Sequence, residues 1–176
     1  MKKSVLLLAL VFSTAFSFSQ DVKYGIRGAV NVSNLDFEPD ANFVNQHRNG
    51  FAFAGFVDFG VSENSSIWTE LQWSAEGGKA ESLRADYIQM PIMLNISLSE
   101  RLSFGFGPQA ALKTWENKDL FTAVTFSGVV GAAYMITDDL FVDVRFSYGL
   151  TNILDEDITT MEAKNHVLQF GLGMKI

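Results

Sequence analysis

The stretch LFVDVRFSYGLT, Leu140–Thr151, alternates with a period of two. Leu140, Val142, Val144, Phe146, Tyr148 and Leu150 fall on one face, and Asp143, Arg145, Ser147, Gly149 and Thr151 on the other. A helix would bring residues three and four apart onto a common face, whereas strict alternation marks a strand between two different environments. A tilted strand needs only about 9–11 residues to cross a bilayer, so this run is long enough to span one.

The same pattern recurs on both sides of it. In Val22–Asn34, Tyr24, Ile26, Val30 and Val32 oppose Lys23, Gly25, Arg27, Ala29, Asn31 and Ser33. In Phe51–Ser62, Phe51, Phe53, Val57, Phe59 and Val61 oppose Ala52, Ala54, Asp58 and Gly60, with Phe56 interrupting the polar set. Ile67, Thr69, Leu71 and Trp73 then oppose Trp68, Glu70, Gln72, Ser74 and Glu76, and Ile88, Met90, Ile92, Leu94 and Ile96 oppose Tyr87, Gln89, Met93, Asn95 and Ser97. Further runs follow at Leu102–Lys113, Val124–Ile136 and, ending at the last residue, Leu168–Ile176. Eight such segments predict an all-β chain: an eight-stranded antiparallel up-and-down transmembrane β-barrel.

The connections alternate too. Ser62–Ser66, Ser99–Arg101 and Thr137–Asp139 are tight, Leu35–Gly50 and Asn152–Asn165 are long, and Gly77–Ser82 and Trp115–Leu120 are intermediate. Outer-membrane barrels have short periplasmic turns and longer extracellular loops, so both termini are expected in the periplasm.

The N-terminus reads as a cleavable signal peptide over residues 1–19. Lys2 and Lys3 form its charged region, Val5 to Phe12 its apolar region, and Ser17 and Ser19 the small residues before cleavage at Gln20. Residues 20–176 form the barrel domain. The chain has no cysteine, so packing and backbone pairing alone must hold it together. Its formal charge is −7, two units more negative without Lys2 and Lys3, which argues against nucleic acid as a partner.

Alternation by itself does not say which face is inside; a soluble lipocalin-like barrel holding an apolar ligand alternates as well. The second face decides. Rich in Gly, Ala and Ser and poor in Lys and Glu, it suits a crowded eight-stranded interior better than a water-facing exterior. The apolar set is therefore assigned to lipid, with Tyr24, Phe51, Phe59, Trp73, Tyr134 and Tyr148 near strand ends as aromatic girdles. Pro91 and Pro108 fall inside strands of a barrel with no free edge, and local bulges are expected there.

The inward face carries a nearly balanced set of charges: Arg27, Asp58, Glu70, Glu76, Lys113, Asp143 and Arg145, with Lys23 and Lys175 toward the ends. Buried charges are tolerated when paired, so these residues are expected to form a structural network filling the lumen rather than an ion path. The two histidines, His47 and His166, fall near the long connections, where Ser33 and the acidic run Asp155-Glu156-Asp157 could complete a rim hydrolase site. That run, like Asp36, Glu38 and Asp40, lacks the spacing and glycine of a calcium loop and reads as solvated. No phosphate loop, nucleophile elbow or zinc spacing is present, and neither a catalytic residue nor a cofactor or metal ligand is assigned.

GIRGAVNVSNL (Gly25–Leu35), DYIQMPIMLNISLS (Asp86–Ser99), LSFGFGPQAAL (Leu102–Leu112), DVRFSYGLTNI (Asp143–Ile153) and VLQFGLGMKI (Val167–Ile176) resemble the PorT-like family of small outer-membrane β-barrels from Bacteroidetes. The resemblance implies insertion into outer-membrane lipid by the barrel-assembly machinery. One family member is linked to type IX secretion and most have no assigned activity. The eight apolar sets around a small-residue, charge-balanced interior lead to the expectation of a non-enzymatic barrel with a packed lumen, structural or accessory to an envelope or secretion assembly, with the secretion link implied by the resemblance alone.

Overall fold

The computed structural model describes residues 22–40, 43, 45–114, 121–155 and 159–176. The signal-peptide segment and the Trp115–Leu120 connection lie outside the described residues. The strands are β1 (Val22–Glu38), β2 (Arg48–Ser62), β3 (Ser65–Gly77), β4 (Arg84–Ser97), β5 (Leu102–Lys113), β6 (Val124–Met135), β7 (Leu140–Gly149) and β8 (Glu162–Lys175). Each pairs antiparallel with the next, and β8 returns to β1 from Gly25 opposite Lys175 to Glu38 opposite Glu162, closing the barrel. Closure leaves no edge strand, so every wall strand can satisfy its backbone within the sheet, as a bilayer demands.

The apolar face is outside. Leu71 is 63% exposed, Phe53 61% and Val30 59%, while their alternates Gln72, Ala54 and Asn31 are buried. A soluble apolar-lined barrel would show the reverse, and an exposed belt of this extent is matched only by lipid. Tight turns join β2 to β3, β4 to β5 and β6 to β7 at the end that also carries both strand termini, called here the terminal end. The longer connections gather at the opposite, loop end.

Three expectations change. First, β1 runs on to Glu38 and β8 starts at Glu162, in stretches assigned above to long loops. The alternation continues there with its polarity exchanged: Leu35, Phe37 and Ala163 point inward and are buried, while Asp36, Glu38, Lys164 and Glu162 lie on the outer face. Paired positions change together, since Val32 faces Leu168 on the apolar side of the switch and Asn34 faces His166 on the polar side. The wall has passed from lipid into water, and its interior becomes an ordinary apolar core of Leu35, Phe37, Leu83, Tyr87, Phe121, Ile153 and Leu154.

Second, neither proline makes a bulge. Gln89 faces Gln72 and Ile92 faces Thr69 in one unbroken register around Pro91, and Pro91 opposite Gln109 keeps register with Leu94 opposite Phe106 around Pro108. The missing N–H groups cost local pairing only. Gly107 lets the backbone of β5 close onto the Ile92 carbonyl, where a Cβ would collide. The register shift that β2 does contain lies at its turn, between Gly60 and Ser62.

Third, Phe56, the interruption of the inward polar set, belongs to an aromatic plug. Its ring stacks on Trp68 at 3.8 Å, and Phe141 meets both edge-on at 5.8 and 5.7 Å. Gly25 and Gly173 stand opposite this cluster because a Cβ there would enter the rings of Phe56 and Phe141. The inward glycines are thus the space the aromatic plug occupies.

Candidate functional site

The lumen charges assemble around Arg27, which β1 points at the barrel axis. Its Nε donates to Asp143 Oδ2 at 2.7 Å and its Nη2 to Oδ1 at 2.6 Å, a bidentate pair closed between strands 116 residues apart in sequence. Arg145, two residues along β7, donates from Nη1 to Glu70 Oε1 at 2.8 Å and approaches Asp143 Oδ1 from Nε at 3.6 Å. Trp68 Nε1 donates to the second Glu70 oxygen at 2.8 Å. Two cations and two carboxylates therefore neutralise one another, and a planar guanidinium fits such a fork better than an ammonium could. Gly171 makes the room, since a Cβ there would lie 2.7 Å from the Arg27 guanidinium and from Asp143 Oδ1.

Toward the terminal end, Lys175 Nζ donates to Asp58 Oδ2 at 3.0 Å, and both Lys175 and Arg145 sit over the Trp68 ring at 5.8 and 5.5 Å. Toward the loop end, charge gives way to amides. Arg27 Nη1 donates to Gln72 and Gln169, Gln72 Nε2 donates to Gln89 at 2.6 Å, and Gln89 Nε2 donates to Glu76 Oε1 at 2.8 Å. Glu76 also accepts from Ser74 Oγ at 2.7 Å and Asn165 Nδ2 at 2.7 Å, without an ion-pair partner among the described residues. One chain of hydrogen bonds thus runs along the axis from Asp143 to Asn165.

Of the residues singled out from sequence, Arg27, Glu70, Asp143 and Arg145 meet directly, and Asp58 and Glu76 lie at either end of this network. Lys113 lies apart, at the loop end, with Nζ donating to the Phe121 carbonyl and resting near that ring. Gln72, Gln89, Gln169, Asn31 and Asn165 had not been singled out. Their signal was available for the wall strands, because each occupies an inward position of the alternation, but charge alone had been followed.

Of the rim hydrolase candidates, Ser33 and His166 do not meet. Ser33 points inward, donating from Oγ to the Gly77 carbonyl at 2.8 Å. His166 sits on the outer face, stacked on Tyr148 at 4.4 Å with Nε2 3.7 Å from Asp36. A barrel wall separates nucleophile and base. His47 is exposed in the β1–β2 connection, bridged to Gly78, and Glu156 and Asp157 lie outside the described residues.

Partly open spaces of about 80 and 20 Å³ flank the network. Each has room for water, since a single molecule needs only about 10–15 Å³ of such space.

Structural comparison places the chain among outer-membrane barrels. Neisserial surface protein A superimposes with a TM-score of 0.59 at 10% identity, covering 87% of this chain and 97% of that one. Ail, the attachment invasion locus protein of Yersinia pestis, solved with the heparin analogue sucrose octasulfate, gives 0.52 at 12% identity, covering 88% and 99%. At such identities the likeness speaks for the fold. Comparison with curated proteins gave no match. The family model for the outer membrane protein beta-barrel domain matches residues 4–175, and the chain belongs to that family of integral outer-membrane barrels.

Proposed function

We propose that this protein is a non-enzymatic outer-membrane barrel with a packed lumen that works through its loop end, as a structural element or as an accessory to an envelope or secretion assembly. The observation carrying this reading is the filled interior. The Arg27–Asp143–Arg145–Glu70 quartet and the Phe56–Trp68–Phe141 plug occupy the axis, and the apolar cluster around Leu35 and Phe121 closes the loop end. A lumen filled in this way by the described residues leaves partners the outer surfaces of the barrel. The resemblance to PorT-like proteins of Bacteroidetes favours a secretion-related assembly, and insertion by the barrel-assembly machinery follows from the same resemblance.

Orientation is part of the proposal: loops outside the cell, both termini in the periplasm. The lack of native cysteine makes this directly testable. In intact cells a membrane-impermeant maleimide is expected to label Asp40→Cys at the loop end and to spare Asn64→Cys in the β2–β3 turn; the opposite pattern would invert the barrel. Planar-bilayer recordings are expected to be silent, and a steady conductance from the folded protein would refute the packed lumen. Reversible crosslinking in intact cells is expected to trap recurrent envelope neighbours through loop-end positions, and a barrel that crosslinks only to lipid would end the accessory reading.

A further inference from the structure

The loop end carries a charge feature that neither the lumen nor the accessory reading uses. The chain is acidic overall, and the rim above β1 and β8 follows suit, with Asp36, Glu38, Asp40 and Glu162 against a single cation, Lys164, around one depression. Above β2–β4 the sign reverses. His47, Arg48, Lys79 and Arg84 line an open depression of about 710 Å³, and its remaining lining residues, Gln46 and Asn49, are neutral.

Backbone contacts hold this group together. His47 bridges Gly78, and the Lys79 N–H donates to the Gln46 carbonyl at 3.0 Å, so the β1–β2 and β3–β4 connections are stitched side by side. Gly77, at φ +90°, turns the chain out of β3, and the Gly78 N–H donates to the Leu83 carbonyl at 2.8 Å, which brings Arg84 back beside Lys79. Arg48 is fixed by the Glu76 carbonyl at 2.5 Å and by Asp86 Oδ1 at 3.1 Å. Asp86 thereby answers Arg48. Lys79 and Arg84 are exposed and have no ion-pair partner among the described residues, and Glu81 of the same connection does not line the depression.

The depression also sits at a definite height. Arg84 shares the outer face of β4 with Ile88, about 13 Å further along at 3.3 Å per residue. Ile88 faces Trp73, whose ring lies 5.5 Å from Phe51, which in turn meets Phe53 at 5.7 Å. An outward Trp such as Trp73 marks the boundary between acyl chains and headgroups. Arg84 therefore stands on the headgroup side of that boundary, about 13 Å along the strand from the last outward apolar side chain of β4.

We infer, resting on the orientation proposed above, that this depression binds a phosphate group, carried by a phosphorylated glycolipid of the adjoining leaflet or by a free phosphate anion. Arg84 supplies a planar fork that matches phosphate oxygens, Lys79 a mobile point charge, and Arg48 and His47 line the same depression. A clustered positive site on an acidic chain does nothing for solubility, whereas each cation near an anionic surface strengthens attraction roughly fivefold.

The test uses the folded mature chain in phosphatidylcholine nanodiscs doped with bisphosphorylated lipid A, or with the same lipid stripped of its phosphates, and reads retained lipid by mass spectrometry. The phosphorylated lipid is expected to be enriched and the stripped lipid not. The double variant Lys79→Gln/Arg84→Gln is expected to lose the enrichment by roughly 25-fold, at about fivefold per cation. The charge-keeping pair Lys79→Arg/Arg84→Lys and the acidic-rim variant Lys164→Gln are expected to retain it, with heat-modifiable migration showing that each is folded. In discs without lipid A, inorganic pyrophosphate separates the two sources: binding that the double variant abolishes, with no lipid enrichment, assigns the site to a soluble phosphate. Equal retention of phosphorylated and stripped lipid together with no pyrophosphate binding, or enrichment that survives the double glutamine variant, would overturn the inference.

Discussion

The body of the barrel and its loop-end extension are built on the same strands with the same alternation, yet with opposite polarity. In the body, Ile26, Val30 and Leu71 face outward and Arg27, Asn31 and Gln72 inward; in the extension, Asp36 and Glu38 face outward and Leu35 and Phe37 inward. Periodicity therefore reports only that a strand has two faces. Which face is apolar reports the solvent outside it, and the level at which the choice flips, between Val32 and Asn34 on β1 and between Leu168 and His166 on β8, is the edge of the bilayer. The two interiors are also stabilised differently. One depends on paired charge and satisfied amides, the other on apolar burial.

The largest effects are expected where the body's ion pairs are cut. Arg27→Met leaves Asp143 with a single contact to Arg145 at 3.6 Å, and Glu70→Gln leaves Arg145 and Trp68 both donating to one amide. Each is expected to cost about 3–5 kcal/mol, the usual penalty for stranding a buried charge. Urea unfolding in phospholipid vesicles measures it. The double variant Arg27→Met/Asp143→Leu is expected to recover much of the loss, because it leaves no stranded charge and only the Gln72 and Gln169 amide oxygens short of a donor. A double variant as unstable as Arg27→Met alone would show that the pair is not what holds the body.

Lysine substitutions on the outer face locate the polarity switch. Leu71→Lys, in mid-strand among lipid-facing neighbours, is expected to cost about 2–4 kcal/mol, whereas Asp36→Lys is expected to cost about 0–1 kcal/mol. Equal costs at the two positions would erase the distinction between body and extension.

Much of this architecture was legible in the sequence, and the failures have specific causes. The eight strands and their phases followed from alternation, because backbone geometry forces a period of two whatever lies outside. Strand ends did not follow, because Leu35, Phe37 and Ala163 keep the period while exchanging polarity, and a reading that equated apolar with outward stopped at Asn34. The charged residues of the lumen could be named, but not paired. Arg27 and Asp143 meet only because β8 closes onto β1 in one particular register, which no local pattern encodes. Lys113 was grouped with them by parity alone, although it stands at the level where the wall leaves the bilayer and its partner is a loop carbonyl. Phe56 looked like an interruption because an inward aromatic makes sense only beside a glycine such as Gly25 of β1 that vacates its volume.

That exchange of volume supplies a smaller test. Gly173→Ala places a methyl in the Phe141 ring and is expected to destabilise by about 1–3 kcal/mol, the range for overpacking a filled core. Phe141→Leu in the same chain opens space and is expected to return part of the loss. If the alanine variant is neutral, the aromatic plug yields to pressure and the lumen is looser than its packing indicates.

The smallest effect is also the most discriminating. Glu76 and Glu70 lie on the same strand, both buried and both on the lumen face, so the same Glu→Gln change probes the two environments with little change in volume. Glu70 receives Arg145 on one oxygen and Trp68 on the other, so an amide nitrogen at either place meets a donor and Arg145 loses its nearest counter-charge. Glu76 receives only neutral donors: Ser74 and Gln89 on Oε1 and Asn165 on Oε2. In Glu76→Gln the oxygen can keep the first two, and the new amide nitrogen then faces Asn165, whose Oδ1 has no partner. A flip of the Asn165 amide turns that opposition into a hydrogen bond. Glu76→Gln is therefore expected to cost no more than about 1 kcal/mol, against 3 or more for Glu70→Gln. Adding Asn165→Asp, which cannot donate when ionised, is expected to suit Glu76→Gln and to penalise the wild-type carboxylate. Costs that match at positions 70 and 76 would mean that the loop half of the lumen answers to charge as the terminal half does, and the division between ion-paired and amide-bonded interiors would fall.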